Sequence, residues 1–585
     1  MMQSFAKAIV SALSELKGVE ISADTLSLEK TPQHFSGDIT LVTFSLAKML
    51  KTNPYQLAQE IGEYLLHRTT YIESYEVIKG FLNIKFSTSF LVNQLLSLQS
   101  TYSQVDNPKK IIIEFSSPNT NKPLHLGHLR NNFLGDALAR ILEAVGNEVI
   151  RINLINDRGI HICKAMLAYQ KWGNNETPAS TGIKPDHFIG KFYVLFEQEL
   201  KKQMHELQLK EQQLTEAPLM QEALQMLERW EANDPQVRSL WQTMRDWALE
   251  GFRETYQRTD TYFDEIQFES DLYEKGKTII LQALENQNPF IFRDESGAVV
   301  ADLTSFNLDK KILLRSNGTS VYITQDIGTA IHRYDKYHPD EVIYVVGNEQ
   351  EYHFAVLKNV LHILGYDWSS KIHHYSYGMV ELPEGKMKSR EGKVVDADDL
   401  LDELHQLAKE VAQEAGKANE LDPATQDFIF EKIGQAAIKY FILKVDPAKN
   451  ILFNPNENLE FTGNTGPFLQ YTHARICSLL ERSTEEISPT RINIKTFEPQ
   501  ERKLLLTLLD KNKILIEAAK TLNPNLLANY LYELASNFNS FYQEIPVLKE
   551  PDTSKRHLRL YLAQKTAEVL KSFGQLLNIY MPEKM

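Results

Sequence analysis

Two apolar segments separated by a helical pattern constrain the fold of this chain more than any other feature. KIIIEF, at residues 110–115, is a continuous apolar run of the kind that forms a strand buried on both faces. Apolar residues at helical spacing from Leu129 to Val145, followed by Gly146, predict a helix with a C-terminal cap. EVIRINLI, at residues 148–155, predicts a second strand. A crossover helix between two buried strands predicts a parallel sheet.

The first part of the chain predicts a separate α+β unit. An opening helix is followed by a second helical pattern from Thr40 to Leu66. Two short extended segments, EVIK and FLNIKF, then flank Gly80, where a turn is expected. Residues 1–105 are therefore predicted to fold apart from the sheet.

The remaining segments predict an interrupted sheet domain and a helical end. Residues from about 165 to 285 are rich in Glu, Gln and Lys and predict helices inserted into the sheet domain, with a coiled coil as the alternative. The strand-like runs AVVADL, KILLRS, SVYIT and EVIYVV predict the second half of that domain. Beyond Asp396 the pattern is helical to the last residue. The predicted fold class is α/β, with additional α+β and all-α parts.

Composition excludes several classes of protein. With 43% hydrophobic and 24% charged residues, the chain has the composition of a soluble globular protein, and no apolar run approaches the roughly 20 residues that span a membrane. The charged residues Lys7, Glu15 and Lys17 favour an amphipathic first helix over a secretory signal. Cys163 and Cys477 cannot form a disulfide framework or a zinc site, which fits a cytoplasmic compartment. The net charge of −14 weighs only weakly against a nucleic-acid partner, since one face can still be basic.

The segment SSPNTNKPLHLGH lies between the first predicted strand and its helix. A helix N-terminus offers unpaired N–H groups and partial positive charge, which together suit a phosphate. Lys122, His125 and His128 add further donors at that point. The two common glycine-rich phosphate motifs are absent from the chain. The H-x-x-H spacing would also suit a metal pair, but no third ligand follows at a sensible spacing, so an anion site is preferred.

HLGH resembles the "HIGH" signature of class I aminoacyl-tRNA synthetases. The longer string SSPNTNKPLHLGHLRNNFLGDALARILEAVG closely resembles the bacterial arginyl-tRNA synthetase version. GKMKSREGKVV resembles the second signature, "KMSKS", when aligned on Lys386 and Met387. Ser389 then stands where the general pattern has its second lysine, and the role of Lys388 stays open. In the arginyl family a lysine just before the first signature substitutes for the second lysine of "KMSKS". Lys122 occupies that place.

The resemblance implies an α/β, Rossmann-like parallel-sheet catalytic domain with a helical insertion, an α+β N-terminal domain and an all-α C-terminal anticodon-binding domain. The implied domains are 1–105 for the N-terminal tRNA-corner-binding domain, 106–385 for the catalytic domain, 386–458 for the signature loop and connecting region, and 459–585 for the anticodon-binding domain.

The implied function is a ligase that attaches L-arginine to its cognate tRNA. ATP-dependent formation of arginyl-adenylate is followed by transfer to the terminal adenosine of tRNA. The implied partners are tRNA(Arg), L-arginine and ATP, with Mg²⁺ accompanying ATP and no dedicated metal site on the protein. The expected state is a cytoplasmic monomer with no membrane partner.

The resemblance also implies roles for individual residues. The catalytic residues are His125, His128, Lys122 and Lys386. The ATP-binding residues are Asn119, Gly127, His125, His128, Met387 and Ser389. The arginine-binding residues are Asn153, Tyr322, Asp326 and Gln350. The tRNA-binding residues are Phe81, Asn83, Arg475, Tyr542 and Met585.

The chemistry of arginine agrees with this pocket. A guanidinium group needs a carboxylate to accept its fork of donors, and Asp326 lies four residues after Tyr322, on one face if the segment is helical. Asp157 and Gly159 also fall in matching segments, without an assigned role.

Two alternative functions are another class I synthetase and a non-catalytic RNA-binding relative. Asp326 and the N-terminal domain disfavour the first, and the intact HLGH, Lys122 and Lys386 disfavour the second.

Overall fold

A computed structural model gives the fold of the chain. It describes residues 2–32, 34–99, 101–382, 385–386, 395–414, 422–452 and 459–585. None of the helices within these ranges is long and apolar enough to pass through a bilayer.

The N-terminal unit is a four-stranded antiparallel sheet covered by helices. Its helices are α1 (Met2–Lys17), α2 (Phe44–Met49), α3 (Pro54–Arg68) and α4 (Thr88–Leu96). Its strands are β1 (Ser27–Lys30), β2 (Ile39–Val42), β3 (Ile72–Ile78) and β4 (Phe81–Phe86), in the order β1-β2-β4-β3. The apolar residues of α1 face this core, as its amphipathic pattern predicts: Phe5, Ile9 and Leu13 are fully buried.

One prediction for this unit is confirmed and one is wrong. Lys79 and Gly80, both with positive φ, form the two-residue turn that pairs β3 with β4, as the sequence predicts. The helical pattern expected from Thr40 begins instead with a strand, because Thr40 lies in β2 opposite Asn83 of β4. The run ITLV is rich in β-branched residues, which suits a strand, and helix α2 begins only after Thr43.

The middle of the chain contains two sheets. Its strands are β5 (Lys110–Glu114), β6 (Glu148–Ile155), β7 (Glu265–Phe268), β8 (Ile291–Arg293), β9 (Val299–Ala301), β10 (Lys311–Leu314), β11 (Glu341–Gly347) and β12 (Ile372–Tyr377). The helices of this region are α5 (Leu126–Ala144), α6 (Ile160–Trp172), α7 (Pro178–Thr181), α8 (Pro185–Glu206), α9 (Pro218–Glu231), α10 (Pro235–Arg258), α11 (Glu269–Glu285), α12 (Tyr322–Tyr337) and α13 (Glu351–Ile363).

The larger sheet is parallel, in the order β12-β11-β5-β6-β7. Strand β5 lies at its centre, with Ile111, Ile112 and Ile113 buried, and α5 connects it to β6. The predicted strand–helix–strand unit is confirmed. The loops after β5, β6 and β11 therefore meet at one edge of the sheet, where ligands of open α/β sheets bind.

The predicted second half of this sheet is partly wrong. EVIYVV is strand β11 of the parallel sheet, as expected, but β9 and β10 belong to a separate antiparallel sheet with β8. SVYIT is not a strand, because Tyr322 begins α12. That helix continues with Ile323, Ile327 and Ile331 buried one turn apart, so the 3.6-residue period outweighs the β-branched composition. Strand β7, in turn, lies within the region expected to be helical.

The inserted helices pack on a shared core, which rules out the coiled-coil alternative for the described helices. Helix α6 contacts α8 and α9, and α8 contacts α10. Aromatic side chains fill the space between them: the rings of Phe188 and Trp247 meet edge to face at 5.6 Å, and Trp230 and Trp241 do so at 5.3 Å.

The C-terminal part is helical, as predicted, apart from a small sheet. Its helices are α14 (Ala397–Glu414), α15 (Pro423–Leu443), α16 (Gly466–Glu481), α17 (Pro499–Leu509), α18 (Lys511–Thr521), α19 (Asn525–Glu544) and α20 (Thr553–Leu576). The small sheet contains β13 (Val380–Leu382), β14 (Gly385–Lys386) and β15 (Ile451–Leu452), with β13 in the middle.

The N-terminal unit packs directly on these C-terminal helices. The guanidinium of Arg502 in α17 donates through Nε to Asp38 at 2.7 Å and through Nη2 to the carbonyl of Phe86 at 2.6 Å. The hydroxyl of Tyr102 donates to the carbonyl of Ser572 in α20 at 3.0 Å. The first and last units of the chain are therefore joined by specific polar contacts.

Helices α11 and α12 cross with their backbones in contact. A Cβ atom on Gly276 would lie 1.7 Å from the carbonyl oxygen of Thr324, and one on Gly328 would lie 2.5 Å from the nitrogen of Gly276. No residue with a side chain fits at this crossing unless a helix moves. The crossing therefore fixes the first turn of α12, which carries Tyr322 and Asp326.

Candidate active site

The two histidines of HLGH cap the N-terminus of α5. The Nδ1 atom of His125 accepts a hydrogen bond from the Gly127 nitrogen at 3.1 Å, and Nδ1 of His128 accepts one from the nitrogen of His125, also at 3.1 Å. An imidazole nitrogen that accepts a backbone N–H carries no proton, so each neutral ring bears its proton on Nε2. Both side chains are therefore fixed as Nε2–H donors at a helix N-terminus.

The surroundings keep both rings neutral. Burial lowers the pKa of His125 to about 3, and the charge of Lys122 acts in the same direction. Burial, with the charges of His125 and Lys122, holds the pKa of His128 well below its usual range. Gly127 is required here, because a Cβ atom on it would lie 2.9 Å from the Cε1 atom of His125.

Lys122 lies beside these histidines in a cavity of about 530 Å³. Helix α8 forms the opposite wall with residues that include Lys191 and Val194. Burial lowers the pKa of the Lys122 ammonium group, and no ion pair of Lys122 is present among the described residues. Its charge is thus available to a ligand.

The second signature is anchored beside the first. The nitrogen of Leu126 donates to the carbonyl of Val395 at 3.0 Å, and the nitrogen of Ala397 donates to the carbonyl of Leu124 at 3.0 Å. At the other end, the backbone of Lys386 in β14 pairs with Glu381 of β13. Met387, Lys388 and Ser389, and the side chain of Lys386, lie outside the described part of the structure.

An ionic cluster joins the segment after this signature to α8. The ammonium group of Lys184 contacts Asp398 at 2.7 Å and Asp186 at 3.2 Å, and Nε2 of His187 lies 3.3 Å from Asp396. The Asp186, His187 and Asp398 side chains converge closely enough to hold a cation. Lys184 already supplies the positive charge between these carboxylates, so the cluster works as an anchor for the start of α14.

Asn119 and Asn153 lie at the ends of neighbouring strands. Asn119 forms a parallel bridge with Asn156, so the loop after β5 runs beside the loop after β6. Asn153 is fully buried in β6, where its Oδ1 accepts from the Ser117 nitrogen at 3.1 Å and its Nδ2 donates to the Tyr256 hydroxyl at 3.1 Å. Asn153 thus supports the loop from beneath.

The predicted arginine pocket lies where α12 and α13 begin. Tyr322, the first residue of α12, is 71% exposed. One turn later, Oδ2 of Asp326 lies 2.5 Å from Nε2 of His353 in α13. Gln350 is exposed and directly precedes α13, after strand β11. These side chains share the strand-end edge of the sheet with HLGH, although the contact of His353 with Asp326 was not predicted.

Glu269 is a candidate site residue that the sequence reasoning missed. It is the first residue of α11 and is 9% exposed. The Gln325 amide, oriented with its nitrogen toward Glu269, accepts from Nη1 of Arg158 at 2.8 Å. Burial raises the pKa of Glu269 to about 7; the charges of Asp326 and Asp157 add to this, against that of Arg158. The only sequence signal is the position of Glu269 at the start of a helix, which many surface residues share.

Asp157 now has a structural role. Its carboxylate accepts from the nitrogen of Ser270 at 2.9 Å and from the Ser270 hydroxyl at 2.7 Å. It therefore ties the end of β6 to the start of α11 and holds Glu269 next to the pocket. Gly159, with φ 102°, caps α6 in a conformation that favours glycine.

The predicted RNA contacts of the N-terminal unit differ in exposure. Phe81 is 39% exposed and meets Phe44, 42% exposed, edge to face at 5.2 Å. Asn83 is 2% exposed and accepts from the Thr40 hydroxyl at 2.7 Å, while its Nδ2 has no partner among the described residues. Phe81 is accessible at the surface, and Asn83 lies beneath it in the sheet.

The C-terminal candidates lie together. Arg475, Tyr542 and Met585 line one cavity of about 510 Å³ between α16, α19 and the end of the chain. The Arg475 guanidinium lies 4.6 Å from the centre of the Tyr471 ring and 5.9 Å from that of Tyr542. A cation between two aromatic rings suits an unstacked base next to a phosphate. The long sequence separation between Arg475 and Met585 concealed this arrangement.

Comparison with known proteins covers almost the whole chain. Residues 91–454 match the family described as "tRNA synthetases class I (R), catalytic domain", residues 3–86 match "Arginyl tRNA synthetase N terminal domain", and residues 469–585 match "DALR anticodon binding domain".

Individual relatives extend these matches. The arginine–tRNA ligase of Parabacteroides distasonis is 47% identical over 595 residues, covering 100% of this chain and 99% of the relative. That of Flavobacterium psychrophilum is 43% identical, covering 97% of each chain. Among solved structures, Thermus thermophilus arginyl-tRNA synthetase superposes with a TM-score of 0.82 at 29% identity, over 100% of both chains.

Substitution of His125 separates its capping role from its donor role. His125→Ala removes both, and we expect adenylate formation to fall about 100- to 1,000-fold, as for loss of one preorganised donor. His125→Asn keeps an acceptor for the Gly127 nitrogen but lacks the Nε2–H group, so it should recover the melting temperature without recovering the rate. Thermal unfolding and pyrophosphate exchange measure the two effects. A rate loss below about threefold in His125→Ala would contradict the donor role.

We expect arginine binding to depend on pH through Glu269. A guanidinium binds the ionised carboxylate, so below pH 7 binding must first remove a proton from Glu269. We expect the dissociation constant of arginine to rise as the pH falls from 8 to 6, by up to about tenfold per pH unit below the pKa. Glu269→Gln cannot ionise and should flatten this dependence. Calorimetric titrations of both proteins test it, and equal slopes in the two would exclude Glu269.

Proposed function

Because this chain belongs to the arginyl-tRNA synthetase family and is a class I arginine–tRNA ligase, we propose roles for the residues of its active site. His125 and His128 donate from Nε2 to the phosphate oxygens of ATP while the carboxylate of arginine attacks the α-phosphate. The observation that carries this assignment is the use of both Nδ1 atoms as acceptors of backbone N–H groups. It leaves each ring one donor, aimed where a helix N-terminus favours anions.

The chemistry needs no nucleophile from the protein. The oxygen of the arginine carboxylate forms a bond to the α-phosphorus, and the bond to the β-phosphate breaks, releasing pyrophosphate. Lys122 and Lys386 supply positive charge along the triphosphate, and preorganised charge of this kind lowers the barrier. Asn119, Gly127, Met387 and Ser389 complete the ATP site.

Mg²⁺ accompanies ATP in this proposal. It needs oxygen ligands and keeps much of its own water, so the phosphates can supply most of its ligands. The cluster of Asp186, His187 and Asp398 is a poor second site, since Lys184 lies 2.7 Å from Asp398. We therefore assign no metal site to the protein itself.

The arginine pocket is built from two carboxylates and their neighbours. Asp326 and Glu269 accept the guanidinium's donors, and Tyr322 covers the side chain. Gln350 is assigned as a third residue of this pocket, and Asn153 is assigned to the end of the substrate that carries the α-amino and carboxylate groups. The support is their common location at the strand-end edge of the sheet.

The second step transfers the arginyl group to the 2′-hydroxyl of the terminal adenosine of tRNA. On the RNA side, Phe81 and Asn83 contact the corner of tRNA, and Arg475, Tyr542 and Met585 contact the anticodon. The exposed ring of Phe81 and the cavity around Arg475 support these assignments.

Each domain of the chain is assigned to one of these functions. We assign residues 1–105 to the tRNA corner, 106–385 to catalysis, 386–458 to the signature loop and connecting region, and 459–585 to the anticodon. A monomeric, cytoplasmic protein is part of the proposal. The cytoplasmic location is supported by Cys163 and Cys477, which are both free thiols.

Pyrophosphate exchange with a panel of amino acids tests the pocket. We expect exchange with arginine and with no other amino acid of the panel. Assays with and without total tRNA determine whether tRNA is required. Asp326→Asn removes the guanidinium's charged acceptor and should raise the KM for arginine by at least tenfold. Asp335→Asn, at an exposed carboxylate near the C-terminal end of the same helix, is the matched control. Exchange with another amino acid, or an unchanged KM in Asp326→Asn, would overturn the pocket.

Substitution of Tyr542 tests the anticodon assignment. Loss of a stacking ring costs on the order of 1–3 kcal/mol per base, so Tyr542→Ala should raise the KM for tRNA roughly 5- to 150-fold. Tyr542→Phe retains the ring and should stay near wild type. The KM for arginine should not change in either variant. If Tyr542→Ala leaves the KM for tRNA unaltered, Tyr542 does not contact the anticodon.

A further inference from the structure

The loop between β5 and the first signature starts with two strained residues. Ser116 has φ 75° and Ser117 has φ 46°, so two consecutive residues with side chains lie in the left-handed region. Such backbone persists only where the surrounding structure holds it, and it occurs most often at functional sites. The loop leads from here to Asn119, Lys122 and His125.

Two buried amide side chains hold these residues. Oδ1 of Asn131 accepts from the Ser116 nitrogen at 2.5 Å, and Oδ1 of Asn153 accepts from the Ser117 nitrogen at 3.1 Å. The Asn131 amide is oriented in turn, because its Nδ2 donates to the carbonyl of Val345 at 2.7 Å. The Asn153 amide depends on a different partner.

That partner is the hydroxyl of Tyr256 in α10. The Asn153 Nδ2 group donates to it at 3.1 Å, and it lies 2.7 Å from the hydroxyl of Ser116. The phenol oxygen accepts from Asn153, and it shares a hydrogen bond with the Ser116 hydroxyl in which either oxygen can donate. One phenol therefore orients an amide on β6 and contacts a hydroxyl at the end of β5. All three residues are at most 7% exposed.

We propose that Tyr256 is a positioning residue for arginine activation, acting through the Asn153 amide and the strained turn at Ser116 and Ser117. The turn determines the backbone path of the segment that follows it. That segment is joined to the end of β6 by the Asn156 nitrogen, which donates to the carbonyl of Pro118 at 3.0 Å. This inference rests on the proposed roles of Asn119 and Asn153 toward the substrates. It gives the inserted helix α10 a direct part in preparing the active site.

The consequence of losing the hydroxyl is a relaxed loop. Tyr256→Phe retains the ring, which packs edge to face on Phe263 at 5.1 Å, and removes only the hydrogen bonds. The Asn153 amide and the Ser116 hydroxyl then lose a buried partner, and the turn can leave its left-handed conformation. Substrate binding must restore it, so the cost falls on the KM values rather than on kcat.

The experiment compares two tyrosines that each lose one buried hydroxyl. In pyrophosphate exchange with tRNA present, Tyr256→Phe should raise the KM for arginine and for ATP about tenfold each, with kcat within threefold of wild type. The control Tyr530→Phe removes a hydroxyl that donates to the carbonyl of Thr507 at 3.0 Å in the C-terminal helices. It should lower the melting temperature to a similar degree with both KM values unchanged. A purely structural role for Tyr256 predicts fewer active molecules, hence a lower kcat at constant KM, and that result would overturn the proposal.

A second variant covers the case in which Tyr256→Phe does not fold. Ser116→Ala removes the other end of the same hydrogen bond and should raise the same KM values. Where Tyr256→Phe does fold, the double variant should show less than the sum of the two effects, since both variants remove the bond between Tyr256 and Ser116. Additive effects, or unchanged KM values in Ser116→Ala, would overturn the proposal. Asp326→Asn in the same assay tests the arginine pocket separately. If this variant leaves the KM for arginine unchanged, the pocket assignment is wrong. The effect of Tyr256→Phe on the KM for ATP still tests the role of Tyr256 in that case.

Discussion

The donor role proposed for His125 and His128 depends on two hydrogen bonds between these side chains and the backbone at the start of α5. If His125 and His128 did not accept N–H groups through Nδ1, their protons could occupy either nitrogen, and neither Nε2 would be a dependable donor. The same bonds satisfy N–H groups that the helix leaves unpaired. Stability and chemistry therefore come from one arrangement, which requires the glycine at position 127 because of its contact with the His125 ring.

The inserted helices are part of the active site. Helix α8 supplies one wall of the cavity beside Lys122 and holds the segment after the second signature through Lys184. Helix α10 provides Tyr256, and α11 begins with Glu269. A segment that interrupts the sheet domain in sequence thus surrounds the strand ends in space. Burial at the start of α11, with the nearby charges of Asp326 and Asp157, explains why the Glu269 carboxyl has a pKa near neutrality.

Local sequence patterns predicted the parts of the fold that depend on interactions between residues close in sequence. The unit from β5 to β6 and the loop with its histidines were predicted correctly, because a buried strand, a capped helix and a tight loop all have local signatures. SVYIT was misassigned because its four β-branched and aromatic residues suit a strand, whereas the buried isoleucines of the whole helix become evident only over a longer window. The second sheet was missed because strand composition does not identify the partner strand.

The sequence supplied candidate site residues where a motif surrounds them, and it did not supply those that only the fold brings close to the others. Glu269, His353 and Tyr256 lie far along the chain from the residues they contact, and each has an ordinary sequence environment. Arg475 and Met585, predicted separately from the family resemblance, line one cavity, which no spacing rule would indicate. The roles of Met387 and Ser389 remain predictions, since these residues lie outside the described ranges.

The backbone contact between α11 and α12 has a consequence for how this protein can change through mutation. Because a side chain on Gly276 or Gly328 would collide with the opposite helix, neither position can vary alone without moving the first turn of α12. Natural selection can therefore alter the substrate preference of such a pocket by exchanging the side chains at its wall, but not gradually by shifting the helix that carries them. The two glycines therefore keep the backbone of the pocket in place, while the side chains that line the pocket can change.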